Sequence, residues 1–410
     1  MRPRVVVTGM GLVSPLGKDV EQVWGNVCRG ESGIRRTTDP ELSIFRSKIF
    51  GVCPDFTTDP YIPAHEAKKI DRFVQYALVA AIDAVGQSGL DFEKENRERC
   101  CAIIGCGVGG LQEIEYQCVK LETKGPNKTS PYTIPKIMPN AAAGNVSIHF
   151  GLLGPSYAVS TACASSTNAM HDAIRAIRCG DADVVITGGT EAAVTRLGIC
   201  GFCAMRALSE RNEEPEKASR PYDKGRDGFV LSEGAGILVF EEYEHARKRG
   251  AVVLGEVLGT GLSSDAFHIA QPEPEGIGAS RAIQKTLEDA GIDAGKVDYI
   301  NLHGTGTSLG DIAEVKAVKR AFGESLRGIA LSSTKSQIGH LLGGSGGVEL
   351  IVTLLALRDG IVPPTSNLED PDPECDLDFT PLTARERKLT VALSNSFGFG
   401  GHNACVLVSR

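Results

Sequence analysis

The chain has 410 residues, of which 42% are hydrophobic and 48 are glycine, and its formal net charge is -8. This length and composition are typical of an α/β protein with a large core and exclude a small isolated module. The acidic balance argues against nucleic acid as the main partner, because phosphate-binding surfaces normally carry a basic excess.

Other features of the sequence indicate the cellular compartment of the protein and the state of its cysteines. No apolar run approaches the roughly 18 residues that a membrane-spanning helix needs, and an apolar strand pattern begins after four residues, without a signal peptide. We therefore expect an intracellular, cytoplasmic protein with no membrane partner. The twelve cysteines are scattered and form no CxxC motif, so neither a disulfide framework nor a zinc site is expected.

Apolar, β-rich segments alternate with helical patterns along the whole chain. The first half contains "RVVVTGM", "CCAIIGC", "SYAVSTA", "ADVVITGG" and "GILVFEE", and the second contains "VVLGEVLG", "DYINLHG", "GIALSST" and "VALSNSFG". Helical spacing occurs in "DRFVQYALVAAIDAVGQSG" and "GVELIVTLLALRDG". The alternation predicts an α/β fold with buried strands. Residues 111–140 contain four prolines and no clear period, so we predict an irregular segment there.

The opening segment "VTGMGLVSPLG" places Gly9, Gly11 and Gly17 after an apolar strand, in the manner of a dinucleotide-binding turn. That fingerprint requires a third glycine three residues after the second. Ser14 occupies this position and Pro15 follows it. We therefore interpret the segment as a turn that leaves a core strand.

Two sequence patterns recur in the same order in both halves of the chain. "DAVGQSGLD" (83–91) and "KTLEDAGID" (285–293) each precede an apolar strand, and "AIRCG" and "ALRDG" each end a helical pattern. Repetition in order indicates a duplicated unit. We predict two similar α/β halves, residues 1–250 and 251–410.

Cys163 lies where the predicted strand "SYAVSTA" meets the predicted helix "ASSTNAMHDAIRAIRCG". A free thiol has a pKa of about 8.5, and a helix N-terminus would stabilise its thiolate. The neighbouring Ala162, Ala164, Ser165 and Ser166 are small enough to let a substrate approach. At this point two interpretations stay open, a packed core cysteine and a catalytic nucleophile.

Two of the eight histidines follow apolar strands and begin glycine-containing turns. His303 begins "HGTGT", and His340 begins "HLLGGSGG". Open α/β sheets place their ligands at such strand ends. By contrast, His245 lies in "EEYEHARKRG", which is typical of a solvated helix.

Four motifs, "TACASS", "HGTGTSLGD", "KSQIGHLLGGSGGVE" and "SNSFGFGGHN", together resemble the β-ketoacyl-acyl carrier protein synthases. The likeness runs essentially from end to end. It implies a thiolase-like fold, with two duplicated halves in a five-layered α-β-α-β-α arrangement, and a homodimer. It also implies an acyl carrier protein as partner and no organic cofactor, since phosphopantetheine carries the substrate.

The resemblance implies a catalytic set in which Cys163 accepts the acyl chain and His303 and His340 form the histidine pair. Lys335 and Glu349 would support the second histidine. The implied reaction is a decarboxylative Claisen condensation of malonyl-acyl carrier protein with the Cys-bound acyl chain, which elongates fatty acids by two carbons. A type II polyketide ketosynthase is an alternative, and a non-catalytic chain-length partner is a third, although such partners usually lack the cysteine.

Several further positions take a role from the resemblance. Phe399 would lend its N–H, with that of Cys163, to the oxyanion and would gate the pocket. A structural cation is optional at Asn301, Glu349, Ser394 and Asn395; a buried hydrogen-bond network explains these four equally well. The positions expected to contact the substrate are Thr305, Thr307, Val108, Gly398 and Gly400. The candidates for docking the acidic carrier, or else for a solvated face, are Lys68, Lys69, Arg72, Lys128 and Arg206.

Overall fold

The computed structural model describes residues 2–410. Its strands are β1 (Val5–Val13), β2 (Arg35–Arg36), β3 (Ile49–Phe50), β4 (Cys100–Gly105), β5 (Ser156–Val159), β6 (Val184–Glu191), β7 (Gly234–Glu242), β8 (Gly255–Ser264), β9 (Tyr299–Asn301), β10 (Ala330–Ser332), β11 (Ile361–Val362), β12 (Arg385–Glu386), β13 (Val391–Gly398) and β14 (His402–Ser409). Its α-helices are α1 (Val20–Cys28), α2 (Ala64–Ala67), α3 (Arg72–Ser88), α4 (Leu111–Lys124), α5 (Thr133–Ile137), α6 (Ala141–Phe150), α7 (Ser165–Arg178), α8 (Arg196–Ala204), α9 (Tyr243–Arg249), α10 (Ile277–Ala290), α11 (Ser308–Phe322), α12 (Lys335–Ile338) and α13 (Ser345–Asp359).

Ten strands are joined in the order β10-β9-β13-β14-β8-β1-β7-β6-β4-β5. Read outwards from the central β8-β1 pair, the first half has the order β1-β7-β6-β4-β5 and the second half has the order β8-β14-β13-β9-β10. Strands at corresponding places in the two orders make the same parallel or antiparallel pairings with their neighbours. In the first half β4 runs parallel to β5 and β6, and β7 is antiparallel to β6 and β1; β9, β10, β13, β14 and β8 repeat this pattern. The duplication predicted from the repeated patterns is therefore present in the strand topology.

The helices form three layers around the two five-stranded halves. Helices α3 and α6 cover the first half, α10 and α11 cover the second, and α7 and α13 lie between the halves. Every residue of α13 from Ser345 to Leu357 is buried, as a helix surrounded by protein requires. This is the predicted five-layered α-β-α-β-α arrangement.

Strands β1 and β8 join the two halves, since Val5 pairs with Val257, and one apolar core includes side chains from both. Gly250, where we predicted the boundary, ends α9 with a left-handed φ of 77°. The division into residues 1–250 and 251–410 stays a prediction. No helix within residues 2–410 has the length and apolar character needed to cross a bilayer.

The glycines of the opening segment serve packing. Gly9 and Gly11 lie inside β1, where an added Cβ would lie 2.0 Å from the Ala84 carbonyl oxygen and 2.1 Å from that of Ala80. Helix α3 can therefore approach β1 closely only because these positions lack a side chain. The turn begins later, with reciprocal backbone hydrogen bonds between Ser14 and Gly17.

The prediction of an irregular segment over 111–140 was wrong for most of its length, because α4 and α5 lie there. The inward residues of α4 are polar: Glu113 and Gln117 are buried and hydrogen bonded at 2.8 Å. Lys136 completes the contact, 3.2 Å from Glu113. A helix with a polar buried face shows no apolar period, so periodicity could not identify it.

Candidate active site

A cavity of about 620 Å³ opens where the strand ends of the two halves meet. Cys163, His303 and His340 all line it. Its wall also contains six of the other predicted positions: Val108, Arg206, Thr305, Thr307, Gly398 and Phe399. Lys335, Glu349 and Gly400 lie outside the wall.

The turn that carries Cys163 has a strained backbone. Ala162, immediately before the cysteine, has a left-handed φ of 49°, which costs a non-glycine residue free energy and is common at functional sites. Ser165 holds the turn, because its Oγ donates to the Ala162 carbonyl at 2.6 Å and accepts from the Thr161 N–H at 2.9 Å. Helix α7 begins at Ser165, so Cys163 lies at the predicted junction between strand and helix.

Gly398 packs directly over the backbone of this turn. A Cβ at Gly398 would lie 2.8 Å from the Thr161 carbonyl oxygen and 3.1 Å from the backbone nitrogen of Cys163. Only glycine leaves these atoms accessible. The backbone N–H groups of Phe399 and Cys163 lie close enough to the Cys163 sulfur to lower the pKa of its thiol, and a side chain at position 398 would crowd the Cys163 N–H.

The Cys163 thiol is protonated at neutral pH. Burial raises its pKa to about 11, although the charge of Lys335 and the N–H groups of Phe399 and Cys163 act in the opposite direction. We had expected the helix N-terminus to yield a ready thiolate, and the net effect of burial opposes this. If Cys163 acts as a nucleophile, its thiol would have to lose this proton during the attack.

His303 is held by its backbone. The N–H groups of His303 and Gly304 donate to the Glu314 carboxylate at 2.8 and 2.7 Å. The Tyr222 hydroxyl and the Asn395 side-chain amide donate to the same carboxylate. One buried acid on α11 thus fixes the loop that begins at His303.

His340 is held by segments from both halves. Its backbone N–H donates to the Val230 carbonyl at 2.8 Å, and its own carbonyl accepts from the Ser232 N–H at 2.9 Å. The ring lies edge-to-face with Phe229, with the ring centroids 5.3 Å apart. Nδ1 of the ring lies 2.9 Å from Ser345 Oγ.

The two histidines face each other as neutral imidazoles. Their ring centroids lie 5.3 Å apart with an interplanar angle of 86°. Burial lowers the pKa of both rings well below the ordinary 6.5, and the charge of Lys335 lowers both further. A neutral imidazole can donate one N–H into the cavity.

Lys335 and Glu349 form a fully buried ion pair behind the histidines. Their side chains are 1% and 0% exposed, and Lys335 Nζ contacts Glu349 Oε1. Burial raises the pKa of Glu349, and Lys335 opposes this rise. The pair places one positive charge close enough to affect Cys163, His303 and His340.

The predicted cation residues fall into two groups. Asn301 is paired with Ser394 on neighbouring parallel strands, and Asn301 Oδ1, Ser394 Oγ and Glu349 Oε2 are buried without a hydrogen-bond partner in residues 2–410. Asn395 follows Ser394 in the same strand, so its side chain points to the opposite face, where it donates to Glu314 at 3.3 Å.

Several peripheral predictions have different outcomes. Thr305 and Thr307 bring their hydroxyls within 3.0 Å of each other at the cavity wall. Gly400, with φ 81° in the turn between β13 and β14, donates its N–H to the Ile269 carbonyl at 2.7 Å. Among the carrier-docking candidates, Arg206 lines the cavity. Lys69 forms an ion pair with Glu66, and Arg72 donates a hydrogen bond to the Tyr76 hydroxyl.

Sequence reasoning missed Glu191, a fully buried carboxylate that links two loops of the site. The N–H groups of Gly107, Val108 and Gly343 donate to it at 2.8, 3.1 and 3.1 Å. Burial raises its pKa, and these N–H groups lower it. Its only sequence signal is an acid at the end of an otherwise uncharged strand, "VVITGGTE".

The chain matches two family descriptions in succession. "Beta-ketoacyl synthase, N-terminal domain" matches residues 2–246, and "Beta-ketoacyl synthase, C-terminal domain" matches residues 254–369. Among curated proteins, the chain is 47% identical over 408 residues to "3-oxoacyl-[acyl-carrier-protein] synthase 2" of Vibrio harveyi. It is 46% identical over 407 residues to the protein of the same name from Staphylococcus aureus (strain COL). Each alignment covers 99% of this chain and 98% of the relative.

Solved structures of ketosynthases also match this chain over its whole length. A β-ketoacyl synthase from Burkholderia phymatum STM815 is 34% identical with a TM-score of 0.92, and the alignment covers 100% of this chain and 99% of that one. A type II PKS ketosynthase, solved in complex with its acyl-carrier protein and bound to a hexaketide, is 32% identical with a TM-score of 0.93 over 100% of both chains.

Proposed function

The chain belongs to the β-ketoacyl synthase family, and on that premise we propose how its cavity performs the condensation. It is an acyltransferase that joins an acyl chain to a malonyl unit carried on acyl carrier protein, with loss of carbon dioxide. The observation that carries the residue assignment is the meeting of one thiol and two neutral imidazoles in a single cavity.

The first half-reaction loads the acyl chain. The Cys163 sulfur attacks the thioester carbonyl, the sulfur–carbon bond to phosphopantetheine breaks, and the thiol proton passes to the departing sulfur. The N–H groups of Cys163 and Phe399 stabilise the oxyanion. Gly398 keeps that space open.

The second half-reaction makes the new carbon–carbon bond. The malonyl thioester loses carbon dioxide, and its electron pair forms an enolate whose oxygen accepts N–H bonds from His303 and His340. The enolate carbon then attacks the acyl carbonyl, the bond to Cys163 breaks, and the released sulfur takes a proton from water to restore the thiol. Thr305 and Thr307 bind the amides of the phosphopantetheine arm through their hydroxyls.

The polyketide alternative is less supported. The curated relatives at 46–47% identity are 3-oxoacyl-[acyl-carrier-protein] synthases, whereas the polyketide ketosynthase structure is 32% identical. A non-catalytic partner role would leave the cysteine and both histidines without a purpose in one cavity. Fatty acid elongation is therefore the function that the observations support best.

We propose acyl carrier protein as the macromolecular partner and a second copy of the chain as a permanent one. The first proposal is supported by the ketosynthase structure with its carrier and by Arg206 at the cavity. The second is supported by β5, a sheet edge with exposed apolar neighbours Ile148 and Leu153. All twelve cysteines within residues 2–410 are free thiols, which supports a reducing, cytoplasmic compartment.

We also propose a structural monovalent cation and no organic cofactor. Three buried oxygens, Asn301 Oδ1, Ser394 Oγ and Glu349 Oε2, lack hydrogen-bond partners within the described chain. Buried acceptors without donors are costly, and oxygen ligands suit a hard cation. The cation would complete the shell of Glu349 without taking part in the reaction.

The experiment that tests the function is incubation with acyl carrier proteins bearing short to long acyl chains, followed by intact-mass analysis and peptide mapping. We expect one acyl adduct on Cys163, none in Cys163→Ala, and an unchanged adduct in Cys200→Ala, which removes an exposed thiol. His303→Ala and His340→Ala should still accept the acyl group but lose roughly 10²-fold or more in condensation. An unacylated wild-type protein at every chain length would overturn the proposal.

A further inference from the structure

Ser345, the first residue of α13, contacts His340 and the backbone that follows it. Its Oγ lies 2.9 Å from His340 Nδ1 and 2.9 Å from the Leu341 backbone nitrogen. Both Ser345 and His340 are buried, at 1% and 2% exposure. Because bulk water does not reach the contact, the donors and acceptors of these three groups must satisfy one another.

The available donors and acceptors determine whether Ser345 or His340 donates in the hydrogen bond between them. A backbone N–H can only donate, so Leu341 donates to Ser345 Oγ. The hydroxyl hydrogen of Ser345 then needs an acceptor, and His340 Nδ1 is the one that the described residues offer at hydrogen-bond distance. When Nδ1 accepts, the single proton of the neutral imidazole lies on Nε2.

We propose that Ser345 is a positioning residue that holds His340 in the Nε2–H tautomer. In that tautomer the ring presents a donor to the cavity, which is what the enolate oxygen needs. This inference rests on the proposed function and deepens it. With the other tautomer, Nε2 would turn a lone pair towards the developing negative charge.

The other histidine of the cavity provides a contrast within the same site. His303 Nδ1 is buried and has no hydrogen-bond partner among residues 2–410, so no side chain sets its tautomer. The two imidazole rings lie edge-to-face, but within the described chain only the Nδ1 of His340 has a hydrogen-bond partner. The tautomer of His340 should therefore depend on one hydroxyl group, whereas that of His303 should not.

The loop that carries Ser345 is anchored on its other side. Gly343, two residues earlier, donates its N–H to Glu191 at 3.1 Å, and its carbonyl accepts from the Ser166 hydroxyl. Further along the same helix, Glu349 pairs with Lys335. The hydroxyl of Ser345 is therefore presented from a fixed backbone, as a tautomer lock requires.

The test combines spectroscopy with the two half-reactions. Protein labelled with ¹⁵N-histidine is compared by long-range ¹H–¹⁵N NMR with Ser345→Ala and Ser345→Thr, and the His340 signals are assigned by their loss in His340→Ala. We expect Nε2–H in wild type and Ser345→Thr, and a mixture of tautomers in Ser345→Ala. Decarboxylation should fall roughly three- to tenfold in Ser345→Ala, as for one lost hydrogen bond, while acylation of Cys163 is retained.

Ser280→Ala is the matched control, because Ser280 is another buried serine, in α10, whose hydroxyl has no partner within the described residues. Nε2–H persisting alone in Ser345→Ala, or Nδ1–H in the wild type, would overturn the proposal about Ser345. Failure of the wild type to become acylated would overturn the proposed function instead. Ser345→Thr keeps the hydroxyl group and should therefore decarboxylate as fast as the wild type. This result would show that the loss in Ser345→Ala comes from the missing hydroxyl and not from altered packing.

Discussion

At the scale of single residues, Lys335 influences every reacting group. Its buried charge lowers the pKa of the Cys163 thiol and of both imidazoles. In the proposed mechanism these effects serve different ends, because the thiol would lose a proton while the histidines would stay neutral. Glu349 compensates the charge with one oxygen only, and its Oε2 has no hydrogen-bond partner in residues 2–410.

A cation at this second oxygen predicts a salt-specific stability. The thermal midpoint Tm should rise by about 2–4 °C in potassium or sodium chloride relative to choline chloride at equal ionic strength, because the cation binds only the folded state. Differential scanning calorimetry would measure it. Ser394→Ala should reduce the difference, and Ser280→Ala should keep it. Equal midpoints of the wild type in all three salts would contradict the prediction.

The sequence predicted the residues that meet in the cavity better than those that hold them. Cys163, His303 and His340 stand in recognisable motifs at strand ends. Glu191 and Ser345 do not, because their partners are backbone N–H groups and a ring nitrogen that only the folded chain brings near. Glu191 and Gly343, for instance, are separated by 152 residues, and no local pattern encodes that distance.

At the scale of elements, the site consists of strand ends that correspond between the halves. The turn with Cys163 follows β5, and Lys335 follows β10, the corresponding strand of the second half. Likewise Val108 follows β4 and His303 follows β9. Within each half, parallel strands place their carboxyl ends at one edge of the sheet, and Val108, Cys163 and His303 from the two halves then line the same cavity.

The helices show where sequence patterns succeed and fail. Helices α3 and α13 were predicted from apolar spacing, and the structure confirms them within a few residues. Helix α4 was missed because its inward face consists of Glu113 and Gln117. Periodicity therefore identified the helices that build the core and not the one that packs through polar groups.

Helix α9 should make stability depend on pH. His245 in its first turn contacts Glu241 at 2.6 Å and Glu95 at 2.9 Å, and the Glu241 hydrogen bond is the main cause that raises its pKa above 6.5. A raised pKa means that the stabilisation is complete below pH 6.5 and is lost as the pH rises through the folded-state value.

Urea unfolding at about pH 6 and about pH 9 would measure this effect. The wild type should have a larger free energy of unfolding than His245→Gln, and this difference should be on the order of 1 kcal/mol larger at the lower pH than at the higher. His65→Gln is the control, because His65 lies at the surface with its side chain 74% exposed. A difference between wild type and His245→Gln that does not change with pH would contradict the prediction.

At the scale of the whole molecule, β5 leaves one end of the ten-stranded sheet with a single neighbour in the described chain. Ile148 and Leu153, 80% and 68% exposed, lie beside this edge. Unpaired edges with apolar surroundings favour pairing with another strand. A second copy related by a twofold axis would pair β5 with β5 and bury both residues.

Light scattering coupled to size-exclusion chromatography would measure the mass of this assembly. The wild type should have twice the 43.4 kDa of one chain, and Ile148→Glu combined with Leu153→Glu should shift the protein towards the single-chain mass. Val252→Glu, at another exposed apolar position, should leave the mass unchanged. A monomeric wild type would refute the homodimer.

The corresponding turns after β5 and β10 carry unlike residues, a cysteine in one and a lysine in the other. Two separate identical subunits would inherit every substitution twice, so neither turn could change without the other. Once both copies belong to one chain, each can mutate alone. The chain segment that runs from β7 through α9 to β8 covalently joins the halves and thus gave evolution a twofold frame with independent sides: in the proposed mechanism, one side holds the acyl chain and the other stabilises the enolate that attacks it.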